Sequence, residues 1–145
     1  MKRVLSFILM LFAMVGSVCH AEGIGVVIDD EIINFDVSPI IENGRTLVPM
    51  RKIFEELGCE VEWLSESRTV IATKNSKIIA LQIGKNKIIS TDIETGVSTV
   101  TETDTAPKIH NGRTLVPVRV ISESLGCIVE WDGENQTVII KNDMQ

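Results

Sequence analysis

Asn43-Gly44-Arg45-Thr46-Leu47-Val48-Pro49 returns later in the same chain as Asn111-Gly112-Arg113-Thr114-Leu115-Val116-Pro117, seven identical residues in identical order. The likeness extends outward. Arg51, Ile53, Glu55, Leu57, Gly58 and Cys59 recur as Arg119, Ile121, Glu123, Leu125, Gly126 and Cys127. Val61-Glu62-Trp63 returns as Val129-Glu130-Trp131, and Thr69-Val70-Ile71 as Thr137-Val138-Ile139. A duplicated run that carries turn, helix and strand signals together describes a scaffold built twice.

Each copy reads in order. Asn43-Gly44 is a two-residue turn signal, because both central positions of a type I′ turn need positive φ. It joins an extended 38–41 segment to Arg45-Thr46-Leu47-Val48. Pro49 suits the first turn of a helix, where its missing N–H costs nothing. Ile53, Phe54 and Leu57 then give that helix an apolar stripe, and Gly58 closes it. From Cys59 the period becomes two, so Cys59, Val61 and Trp63 face one way and Glu60 and Glu62 the other. A second strand follows over 69–73. Copy two repeats this through Asn111-Gly112, a helix over 117–125, and strands over 127–131 and 136–141. Runs at 78–83, 87–93 and 97–103 are strand-like, with Thr95-Gly96 as a turn, although the Thr/Ser-rich stretch 90–105 also reads as a linker. Runs at 24–28 and 31–35, joined by Asp29-Asp30, read as the matching hairpin of copy one. Many short strands and two short helices make the fold α+β with antiparallel sheet, in repeat units of about 24–83 and 84–145.

The first 21 residues are expected to be a signal peptide. Lys2 and Arg3 precede an uncharged apolar run, and Cys19 and Ala21 occupy the positions a signal peptidase reads, which places cleavage near Ala21. The run is shorter than the roughly 18 to 20 residues a membrane-spanning helix needs, so no integral span is expected after processing. A retained anchor and lipid attachment at Cys19 are the alternatives. The mature chain, 22–145, is expected to be secreted or cell-surface associated. It is then more acidic than the formal net charge of −6, and has no Lys/Arg cluster. That argues against nucleic acid and anionic lipid as partners. It keeps one histidine, His110, and two cysteines, and has no tyrosine.

The Asp-x-x-Pro lead-in, Gly-Arg-Thr-Leu-Val-Pro-x-Arg, Glu-x-Leu-Gly and Val-x-Trp, each present twice, resemble the copper amine oxidase N-terminal domain family. The resemblance covers nearly the whole mature chain. It implies an antiparallel sheet curved around short helices, in a non-catalytic "stalk" domain of exported bacterial proteins. Two departures stand out: Cys59 and Cys127 replace the small residue usual there, and Glu94-Thr95-Gly96 replaces an Asn-Gly turn. The family name does not import copper chemistry. Imidazoles are the natural copper(II) ligands, and one histidine without any tyrosine builds neither that metal site nor a tyrosine-derived quinone. No cofactor or metal is expected.

The remaining candidates are few. Cys59 and Cys127 read as buried small apolar side chains or, in an oxidising compartment, as a disulfide between the copies. Arg51–Glu55 and Arg119–Glu123 are spaced i,i+4 for local pairing, rather than for an anion site with Arg45 and Arg113. Trp63 and Trp131 alternate with valines as core residues would; the sharper alternative is a pair of stacking platforms for sugar rings. His110 beside a turn reads as a surface histidine. No nucleophile set, paired acids in a recognisable context or phosphate loop is present, so no enzyme is expected. The expected role is binding or spacing at the cell surface, with cell-wall polymer or another exported protein as partner. A regulatory or inhibitory partner of an exported enzyme is the alternative.

Overall fold

Asn43 and Gly44 stand at φ 51° and 72°, and Asn111 and Gly112 at 48° and 74°, so both Asn-Gly turns take the doubly positive geometry expected of them. Each closes a hairpin: β3 (Ile40–Glu42) with β4 (Arg45–Pro49), and β10 (Lys108–His110) with β11 (Arg113–Pro117). The prolines lead directly into α1 (Met50–Glu56) and α2 (Val118–Ser124). Gly58 at φ 85° then reverses the chain, with its N–H donating to Glu55 O at 3.0 Å and that of Cys59 to Phe54 O at 2.8 Å. This paired arrangement satisfies carbonyls that the end of a helix leaves open. The strands that follow are β5 (Glu60–Leu64) and β6 (Thr69–Lys74) in one copy, β12 (Cys127–Asp132) and β13 (Thr137–Asn142) in the other. The structure, a computed structural model, describes residues 23–142. The leader expected at 1–21 lies outside them.

Three sheets organise these elements. In the first, in the order β10-β11-β4-β3, the two repeated strands pair antiparallel with Val48 opposite Val116, Leu47 opposite Pro117 and Pro49 opposite Leu115. Equivalent residues thus face each other about a local two-fold through the valines. The second sheet runs β5-β6-β7-β8-β9, with β7 (Lys77–Gln82), β8 (Lys87–Asp92) and β9 (Ser98–Glu102) all antiparallel. The Thr/Ser-rich stretch is therefore a hairpin. Asp92 accepts the N–H groups of Glu94 and Thr95 in its turn.

The third sheet, β12-β13-β1-β2, corrects the purely antiparallel expectation. Here β1 (Gly25–Ile28) lies parallel to β13, while β2 (Glu31–Ile32) returns antiparallel to β1. Adjacent strands on a hairpin must be antiparallel, but β1 and β13 come from opposite ends of the chain, so the long connection that parallel pairing requires is already present. Gly25 permits the approach: a Cβ there would stand 2.9 Å from Thr137 Oγ1. Mostly strand with two short helices, the protein is an α+β fold.

The helices and the leucines that end them bury Ile53, Phe54, Leu57, Ile121 and Leu125 with Val48, Val116, Val70 and Ile140 in one contiguous core. The copies are not equal inside it. Phe54 and Ser122 occupy the same place in their helices, and the Ser122 hydroxyl is fully buried without a hydrogen-bond partner among the described residues. The tryptophans diverge too. Trp63 packs against the core edge, whereas Trp131 is 43% exposed, so alternation with valine placed only the first correctly. Position 131 is the last but one of its strand.

Two equivalent grooves as the candidate functional site

The arginine that follows each Asn-Gly turn reaches across to the other copy. Arg45 Nε donates to Asp104 Oδ1 at 3.0 Å, and its Nη2 lies 2.9 Å from Oδ2, a bidentate pair. Arg113 Nε and Nη2 both donate to Asp36 Oδ2, at 2.9 and 2.6 Å. These hydrogen bonds hold the Asp36 carboxyl below its ordinary value of 3.8, with the guanidinium charge adding to them against a smaller desolvation effect. Asp36 and Asp104 open the matching Asp-x-x-Pro segments. The two ion pairs are therefore one contact made twice, each arginine matched to the aspartate of the opposite copy.

The helix arginines behave as their spacing predicts. Arg51 lies 3.7 Å from Glu55 and Arg119 3.2 Å from Glu123, each one turn along its own helix. Arg119 Nη1 also donates to the Val129 carbonyl at 3.0 Å, which fixes it against the strand that carries Trp131.

Between these two kinds of pair lie two open grooves. The larger, of about 840 Å³, is walled by Arg45, Asp104, Arg119, Glu123 and Trp131. The smaller, of about 680 Å³, is walled by Arg113, Asp36, Arg51, Glu55 and Trp63, the same five positions of the opposite copy. Each groove takes its helix and tryptophan from one copy and its turn, Gly44-Arg45-Thr46 or Gly112-Arg113-Thr114, from the other. They differ at the rim, where Val120 in the larger replaces Lys52, and Glu102 and Glu130 add carboxylates. Sequence reading found the arginines and tryptophans separately but missed that they converge, and it missed Asp36 and Asp104 as partners. A usable signal was present: a repeated acid and a repeated base, each kept at its own place in both copies.

The other candidates lie elsewhere. Cys59 and Cys127 are free, buried thiols. The Cys127 thiol lies 3.4 Å from Asn142 Oδ1, which also accepts from Lys74 Nζ at 3.4 Å. Burial pushes the Cys59 thiol up to about 11, against the lowering influence of Lys74, and raises Cys127 as well. Neither is disposed to act as a thiolate nucleophile. His110 is half-buried on β10, 3.3 Å from the Asn111 amide, and lines neither groove. Among the described residues no group of three or more His, Cys, Asp or Glu side chains could hold a metal ion. No helix among them is long and apolar enough to cross a membrane.

Comparison with known proteins gives one finding. The family model described as "Copper amine oxidase N-terminal domain" matches residues 27–140, from within β1 to within β13. In the amine oxidases this domain is non-catalytic. No curated protein and no solved structure matches the chain. The match reaches all three sheets and both helices, and on that extent the chain belongs to the copper amine oxidase N-terminal domain family.

Proposed function

We propose that the chain is a non-catalytic, exported stalk-like domain that binds or spaces at the bacterial cell surface or wall. The pair of equivalent grooves carries this reading. Two matching faces on one scaffold built from two repeat units suit attachment to a polymer whose own units repeat, where doubled weak contacts gain from avidity. The charged side chains in the grooves fit attachment better than turnover: each guanidinium already has a carboxylate partner in the open, and none is paired with a nucleophile. The basic and then apolar leader at 1–21 supports export with cleavage near Ala21. The test is co-sedimentation of the purified mature chain with isolated cell-wall sacculi. Retention in the pellet is expected; a chain left wholly in the supernatant overturns wall binding.

A second reading, a regulatory or inhibitory partner of an exported enzyme, is favoured by a different surface. Ile89, Ile93, Val97 and Val100 are exposed together on the β8–β9 hairpin, and β9 is an edge strand of its sheet. Exposed apolar side chains on an edge strand suit contact with another protein. Failure to sediment, combined with stoichiometric capture of one exported enzyme, would transfer the assignment to this reading.

A further inference from the structure

Trp131 is 43% exposed and lines the larger groove together with the Arg119–Glu123 and Arg45–Asp104 pairs. An aromatic face beside a few fixed polar groups in a concave site is the composition of a small-ligand pocket. The polar groups narrow the ligand further. Arg119 is held by Glu123 and by the Val129 carbonyl, and Arg45 by both oxygens of Asp104, so neither needs an anion to complete its hydrogen bonding. Both keep further N–H donors, and the carboxylates keep acceptor lone pairs. The groove as a whole sets two guanidinium groups against four carboxylates, those of Glu102, Asp104, Glu123 and Glu130. An anionic polymer would meet a surplus of like charge there, on a chain whose formal net charge is already −6. A neutral ring with an apolar C–H face and a rim of hydroxyls meets every group with its complement.

We propose that the larger groove is a binding site for a neutral pyranose glycan, with Trp131 as the stacking face and Arg45 and Arg119 as hydrogen-bond donors to sugar hydroxyls. The smaller groove at Trp63 is its weaker counterpart, because Trp63 lies partly in the core and offers less face, and Lys52 replaces the apolar Val120. The proposal rests on the wall-binding reading for the source of the glycan, not for the site itself. Neutral pyranose chains occur with and without N-acetyl groups, and the same groove chemistry serves both.

The experiment titrates the mature chain calorimetrically with two soluble probes, an N-acetylglucosamine hexamer and a β-linked glucose hexamer. Binding of at least one is expected, and which one identifies the source. Trp131→Ala is expected to weaken it by about tenfold or more, while Trp131→Phe, which keeps an aromatic face, restores most of the affinity. Raising the salt about tenfold should leave the affinity in place, since no net charge is neutralised on binding. Absence of binding to both hexamers, or binding unchanged in Trp131→Ala, overturns the site. Sedimentation with sacculi retained by Trp131→Ala alongside absent hexamer binding refutes the groove and leaves the wall reading standing. Hexamer binding through Trp131 without sedimentation does the reverse.

Discussion

Ser122 is the clearest place where one side chain sets a measurable quantity. Its hydroxyl is buried with no partner among the described residues, on the helix face where the other copy carries Phe54. An unmade hydrogen bond in an apolar surround costs about 1–3 kcal/mol, so Ser122→Ala is expected to stabilise the protein by about 1 kcal/mol, read as a higher denaturant midpoint at unchanged slope. An unchanged or lower midpoint would mean the hydroxyl is satisfied. The cysteines give a second residue-scale expectation. With Cys59 raised to about 11 and both thiols buried, alkylation of the native protein near neutral pH should be slow. Unfolding without a reductant should release two titratable thiols per mature chain. A count of zero would establish the disulfide between copies. The raised thiols also favour the folded state below their ordinary value of 9.0, an advantage lost as pH climbs toward 11.

At the scale of elements, the hairpins and helices were legible because their signals are local: Asn-Gly at the turns, proline at the helix starts, glycine at the helix ends. The partner of β1 was not legible. Val26 and Ile28 alternate as any half-buried strand does, and nothing in that pattern distinguishes a parallel neighbour more than a hundred residues away from an antiparallel one nearby. The grooves were opaque for the same reason. Their walls come from both copies, so no contiguous stretch spells them, and the exposure of Trp131 depends on which side of its strand is left uncovered. The β1–β13 contact has its own test. Gly25 leaves no room for a side chain beside Thr137, so Gly25→Val should loosen β1, seen as faster hydrogen exchange at Val26, Val27 and Ile28 with the Val48–Val116 pairing still protected. Equal protection throughout would show that the strand accommodates the larger residue.

For the molecule as a whole, charge ties the copies together and makes the fold acid-sensitive. Asp36 is lowered by Arg113, Asp29 by the backbone and side-chain amides of Asn142, and Asp132 by hydrogen bonds from Asn135. Each is a carboxylate preferred in the folded state, so its contribution is complete above the ordinary value of 3.8 and disappears as pH falls through the lowered folded value. Thermal melts should hold level from neutrality down to about 3.8 and fall progressively below it. Asp36→Asn should flatten the acid limb, and an unaltered limb would show that the cross-copy pair adds nothing to it. The largest consequence follows from Val48 facing Val116. A contact that maps onto itself under a two-fold is the kind that joins identical subunits. Here the residues between the copies make that association intramolecular, so assembly does not depend on protein concentration. The protein therefore keeps both of its grooves at any dilution.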